Sequence, residues 1–124
     1  MNCPFCSAHM PGERILRETE HAYAIKDLHP VSRGHILIIS KEHFEHWFEA
    51  PQHVQHDVMN LAQQMKEWLH ENFQPHGYNL GLNCGVTAGQ SVPHLHLHLI
   101  PRYHGDSKNP RGGVRGVIEE KKNY

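Results

Sequence analysis

The spacing of apolar positions changes twice along the chain. Ile15 to Thr19 and Ala22 to Asp27 read as two short strands with polar punctuation between them. Gly34 to Ser40 reads as a buried strand: Ile36-Leu37-Ile38-Ile39 is an unbroken apolar run rich in β-branched residues, opened by the turn-forming Ser32-Arg33-Gly34. Phe44 to Phe48 has room for one helical turn. From Pro51 to Phe73 the period lengthens, with Val54, Val58, Leu61, Met65, Trp68 or Leu69, and Phe73 at steps of three and four. That is one stripe of a long helix, begun by a proline tolerated in the first turn and ended by Pro75-His76-Gly77. Tyr78 to Asn83 and Pro93 to Ile100 read as two more strands, on either side of a Gly85–Gly89 loop. A run of strands with one central helix predicts an antiparallel α+β domain.

The 124 residues suit a single domain. With histidine neutral the net charge is −1, which excludes a global basic field for a nucleic-acid polymer. Charge is unevenly placed: residues 1–101 carry six basic and ten acidic side chains, residues 102–124 six basic and three acidic. Gly105, Pro110, Gly112, Gly113 and Gly116 interrupt this basic end, so residues 1–103 are read as the domain and 104–124 as a loop-like extension of it. No apolar run approaches the ~20 residues of a membrane helix. The opening Met-Asn-Cys-Pro-Phe-Cys has no charged flank or apolar stretch, and three cysteines do not suggest a disulfide framework. The expectation is a cytoplasmic protein without a membrane partner.

Fourteen histidines change the picture, because three of them fall in Pro93-His94-Leu95-His96-Leu97-His98-Leu99-Ile100. In a strand, His94, His96 and His98 share one face while Leu95, Leu97 and Leu99 seal the other. Alternate side chains lie ~6.6 Å apart, so three collinear imidazoles spanning ~13 Å cannot all reach one ion at ~2 Å. Either a metal or an acid–base–nucleophile set fits, and at least one ring must do something separate. Cys3-Pro4-Phe5-Cys6 has the spacing of half a tetrahedral zinc site, with a redox pair as the rival. Cys84 reads as a small packed residue. Asn83-Cys84-Gly85-Val86-Thr87-Ala88-Gly89-Gln90-Ser91 offers backbone and neutral side-chain donors of the kind that hold phosphate, but lacks the Gly-Lys-Ser/Thr ending of a P-loop.

Gly89-Gln90-Ser91-Val92-Pro93-His94-Leu95-His96-Leu97-His98-Leu99-Ile100 closely resembles the signature of the histidine triad (HIT) family, His-φ-His-φ-His-φ-φ with φ apolar. Asp27-Leu28-His29-Pro30, Gly34 to Ile39 and Lys41-Glu42-His43 resemble its first nucleotide-binding segments, and the likeness reaches Tyr103. The resemblance implies a five-stranded antiparallel sheet with one long and one short helix, usually in a homodimer. It implies cleavage of a nucleotide at its α-phosphate through a covalent nucleotidyl-histidine, without a catalytic metal. By position His96 is the nucleophile, its other nitrogen donating to the carbonyl at the first triad position. His98 and His35 flank the phosphate, Asn83, Gln90 and Ser91 contact it, and Asp27 takes the ribose hydroxyls. Some bacterial members carry a zinc site whose ligands match Cys3, Cys6, His43 and His94; the zinc is structural. The basic end resembles extensions of bacterial dinucleoside polyphosphate hydrolases, where Arg111 and Arg115 would hold a polyphosphate chain. Diadenosine tetraphosphate is the leading substrate. A phosphoramidate or acyl-adenylate, a zinc hydrolase, and a non-catalytic nucleotide-binding or zinc-stabilised interaction protein are the competing readings.

Overall fold

The computed structural model describes residues 3–123. Five strands, β1 (Ile15–Glu18), β2 (Ala22–Lys26), β3 (Ile36–Ser40), β4 (Gly77–Gly81) and β5 (His96–Arg102), form one sheet in the order β1-β2-β3-β5-β4. Every neighbouring pair is antiparallel. Helix α1 (Gln52–Phe73) follows Pro51 and ends where Gln74 takes the left-handed conformation, its N–H donating to His70 O. The short helix expected near Phe44 is a 3-10 turn at Trp47–Glu49.

Each face of the sheet has its own cluster. Val54, Val58, Leu61, Ala62, Met65 and Leu69 of α1 bury against Ala22, Ala24, Ile36, Ile38, Leu95, Leu97 and Leu99. The other face holds Tyr23, Ile25, Leu37 and Ile39, covered by Met10 and by half-buried Phe5 and Ile15. The register pairs Leu37 with His98 and Ile39 with His96, which puts those two histidines on the face away from α1. The alternation of histidine and leucine is therefore a division between site and core.

Two boundaries differ from the sequence expectation. β3 starts at Ile36 because Gly34 turns the chain at φ +87. β5 starts at His96 and runs on to Arg102, so His94 lies ahead of the strand and does not continue its row. There Leu95 N–H donates to Phe44 O at 2.8 Å and His94 N–H to Val92 O at 2.9 Å, drawing the chain out of the ladder. The basic end is also more ordered than a loop, with 3-10 turns at Gly113–Val117 and Glu119–Lys121. It folds beside β4 and encloses, with that strand, a cavity of about 450 Å³ lined by Leu80, Ile100, Arg102, Val114 and Val117 among others. No helix among the described residues is long and apolar enough to cross a membrane.

Candidate active site

The excursion at His94 separates two groups of histidines. Nε2–H of His94 donates to Ser40 O at 2.7 Å, so Nδ1 keeps its lone pair. That Nδ1 faces Cys3 Sγ at 3.2 Å and Cys6 Sγ at 3.7 Å, while His43 Nδ1 lies 3.3 Å from Cys6 Sγ. The ligand atoms of Cys3, Cys6, His43 and His94 all fall within 4.8 Å of one another. A tetrahedral zinc with Zn–S of ~2.3 Å and Zn–N of ~2.0 Å would separate sulfur from nitrogen by roughly 3.5 Å, so the donor set fits the ion. Fixing the far nitrogen of a metal-binding imidazole on a backbone carbonyl is the usual outer support of such a ligand. Burial holds the His94 ring below the ordinary histidine pKa, which keeps it neutral.

His96 projects from the start of β5. Its Nδ1–H donates to the His94 carbonyl at 2.7 Å, leaving Nε2 as a lone pair. The residue is 8% exposed, and the ring of Phe5 stands edge-on at 5.0 Å. The His98 ring lies 5.2 Å from His96 on one side and 5.2 Å from His35 on the other. His35 Nε2 is 2.9 Å from His98 Nδ1 and 3.5 Å from Asp27 Oδ2. The second distance is not an ion pair, since burial pushes the His35 pKa down and the Asp27 charge opposes this without reversing it. Burial, and then the neighbouring His96 and His35, push His98 down to about 4. Burial thus favours neutral His35 and His98 rings at neutral pH, and the bond from His96 Nδ1–H leaves that residue's Nε2 without a partner in the backbone.

Asn83 follows β4 two residues beyond Gly81, the partner of His98 in the sheet. The next loop is a 3-10 turn at Val86–Ala88 between Gly85 and Gly89, both with positive φ. Ser91 is exposed. The Gln90 side chain is occupied within the protein: its Oε1 accepts from Gly85 N–H at 2.8 Å and its Nε2 donates to Val92 O at 3.0 Å. It braces the loop. Asp27 Oδ1 accepts from His29 N–H at 2.8 Å, which aims the carboxylate toward His35. Arg111 and Arg115 do not line the cavity beside β4. Arg115 Nη2 donates to Lys121 O at 2.7 Å within the C-terminal segment.

Several residues of the site were not singled out in the sequence. Phe5 lies between two cysteines that reach His94, so it is carried to His96; the Cys-x-x-Cys spacing held that clue. Ser40, the anchor of the His94 ring, had none. Arg102, which the sequence offered with Lys108, Arg111 and Arg115 as a holder of polyphosphate, is instead engaged within the protein, by Asp106 with Nη2–Oδ1 at 2.8 Å and by Asn79 Oδ1 at 2.7 Å.

A profile of the HIT domain matches residues 11–105. An uncharacterized HIT-like protein of Methanocaldococcus jannaschii is 34% identical over 121 residues, 93% of this chain and 91% of its own. The adenosine 5'-monophosphoramidase of Saccharomyces cerevisiae is 33% identical over 81% of this chain and 62% of its own. An AP-4-A phosphorylase of Mycobacterium tuberculosis is 31% identical over 68% of this chain but only 44% of its own. Among solved structures, a hypothetical histidine triad nucleotide-binding protein from Sulfolobus tokodaii superposes with a TM-score of 0.75 at 30% identity, over 97% of this chain and 89% of the other. A Zn-bound histidine triad family protein from Mycobacterium smegmatis gives 0.76 at 30% identity, over 86% and 77%.

Proposed function

The chain belongs to the histidine triad (HIT) family, and from that membership we propose that it is a nucleotide hydrolase that cuts dinucleoside polyphosphates, diadenosine tetraphosphate foremost, at the α-phosphate. The observation that carries this reading is the 2.7 Å bond from His96 Nδ1–H to His94 O, which frees Nε2 as a nucleophile at neutral pH. Nε2 attacks the α-phosphorus. The bond from phosphorus to the leaving polyphosphate oxygen breaks, and the imidazole carries the nucleotide as an N–P adduct. The His94 carbonyl stabilises the cationic ring that forms. Water then attacks phosphorus, breaks the N–P bond and releases the mononucleotide. His98 donates to the phosphate, and Asn83 and Ser91 contact its oxygens. Gln90 supports that loop from within, and Asp27 accepts from the ribose hydroxyls. Arg111 and Arg115 steady the rest of a long polyphosphate.

Zinc on Cys3, Cys6, His43 and His94 belongs to the same reading. When bound it supplies a structural crosslink, and no chemical step runs through it. The donor distances and the Zn-bound mycobacterial relative support it. A homodimer is supported by apolar side chains exposed on the edge strand and the tail: Leu80, Val114, Val117 and Ile118. A cytoplasmic location accords with three free cysteines.

A second reading keeps the site and changes the leaving group. The yeast relative named a monophosphoramidase matches more of this chain than the phosphorylase does, which favours an AMP phosphoramidate. A screen of nucleoside polyphosphates and phosphoramidates, following released mononucleotide, separates the two. His96→Ala is expected to abolish turnover of either substrate and to leave nucleotide affinity within about threefold. Substantial turnover by that variant removes the covalent route.

A further inference from the structure

Val31 N–H donates to His35 Nδ1 across 3.1 Å. A main-chain N–H cannot exchange roles, so His35 Nδ1 must offer its lone pair and the single proton of the neutral ring must sit on Nε2. That Nε2 lies 2.9 Å from His98 Nδ1. His98 Nδ1 is then the acceptor, and the proton of a neutral His98 is driven to its own Nε2. The opposite assignment, with His98 donating, would leave His35 an imidazolate. Extra protons are blocked in the same way. A charged His35 would turn an N–H against that of Val31, and a charged His98 would turn one against His35 Nε2–H.

We propose that His35 is a positioning residue rather than a phosphate ligand: the Val31 amide, acting through the His35 ring, fixes His98 as a neutral donor whose Nε2–H faces the transferred phosphate. The direction of that donor rests on the reading of His98 given above; its tautomer does not. The titratable groups facing His98 are His35, Asp27 and His96. Asp27 is a weaker second acceptor for the His35 proton, at 3.5 Å, and its charge favours protonation of both rings. The opposing effect is burial, and His35 is 3% exposed. Asp27, His35 and His98 also place three donor atoms within 4.8 Å, a set that a divalent cation could use. The Val31 bond argues against that use, because a protonated Nε2 on His35 has no lone pair to give. His98 therefore contributes N–H donation to developing charge and transfers no net proton.

Long-range ¹H–¹⁵N correlation spectra of the imidazoles, recorded on the full chain and assigned with His98→Asn, read the tautomer directly. In the wild type His98 is expected wholly as the Nε2–H form from about pH 5.5 upward, as is His35. An Nδ1–H or mixed His98, or a His98 titrating near its ordinary value, overturns the proposal. His35→Leu removes the donor and keeps the bulk. It is expected to release His98 into a tautomer mixture, to add an acidic limb to the pH profile, and to lower kcat at least about tenfold with KM within about threefold. His35→Gln, which restores an N–H donor, is expected to recover part of the loss. An unchanged tautomer and pH profile in His35→Leu overturns the proposal, and should that variant not fold, the wild-type spectrum decides alone. If no nucleotide is turned over, the proposed activity falls while the tautomer result still stands.

Discussion

Keeping His35 and His98 neutral in the fold ties stability to pH. Both rings have pKa values below those of exposed histidine because they are buried, His98 at about 4. Between about pH 6.5 and 4 the unfolded chain therefore binds protons that the folded chain refuses. The contribution of these rings is complete above the unfolded value and is lost as pH falls through this window. The urea midpoint should be lower at pH 4.5 than at pH 7.5, His98 alone contributing the equivalent of roughly 2–3 kcal/mol and His35 adding in the same direction. In His98→Asn the drop should be shallower, and equal slopes in the two proteins would show that His98 titrates alike folded and unfolded. At this scale sequence carried half of the site. His96 and His98 were legible because strand alternation depends on nothing outside the strand. The Val31 amide was not, since a backbone N–H has no residue type and its aim exists only once the turn before β3 has closed. The occupied Gln90 side chain is the same kind of case: a glutamine beside a glycine loop offers donors until folding gives them partners.

Among the elements, the junction of α1 with the turn before β3 decides whether His35 reaches its place. Gly34 holds φ +87 there, and a Cβ on it would lie 2.8 Å from Leu69 Cδ2 and 3.3 Å from Phe73 Cδ2. Leu69 is fully buried, so it has little freedom to move aside. Gly34→Ala is expected to destabilise by about 1–3 kcal/mol from backbone strain and crowding together. Gly12→Ala, with nothing within 4 Å of its Cβ, should change stability by less than about 0.5 kcal/mol. Equal denaturation midpoints for the two variants would contradict this account of the junction. The apolar periods located α1, β2, β3 and β5 because each buries one face or both, whereas β1 and β4 hold no fully buried residue and were marked by the turns beside them. Boundaries were less legible: β5 begins two residues after His94 because Phe44 O captures Leu95 N–H, a competition between segments about fifty residues apart. That shift is what frees the His94 ring to face the cysteines.

Over the whole molecule, the two ends of the chain do different work around one sheet. The C-terminal segment walls a cavity beside β4, to which Asp106, Ser107, Pro110, Val114, Val117 and Lys122 contribute but Arg111 and Arg115 do not. A polyphosphate role for Arg111 and Arg115 therefore calls for a comparison across di-, tri- and tetraphosphate-linked substrates. Arg111→Ala and Arg115→Ala should raise KM most for the longest, and a chain-length-independent effect would remove the role. The N-terminal end is joined to the site by residues far apart in sequence, Cys3 and His94 being separated by 91 positions. A crosslink closing a loop of that length restricts the unfolded chain by about 4–5 kcal/mol in the entropy picture, and a bound ion adds the stabilisation of any ligand that prefers the folded state. Stripping zinc with a chelator is accordingly expected to lower Tm by roughly 15–20 °C, with recovery on adding one equivalent back. None of Cys3, Cys6, His43 and His94 belongs to the core between α1 and the sheet, so far-UV circular dichroism at 25 °C should persist. Cys6→Ser should lose the metal dependence and sit near the stripped Tm. His94 links this tether to the chemistry, its ring facing the cysteines while its carbonyl holds His96. Metal removal should thus slow turnover far less than His96→Ala does, because the carbonyl is carried by the backbone entering β5. Protein that holds zinc in equal amount yet melts at the same temperature without it would show that the tether adds nothing to the fold.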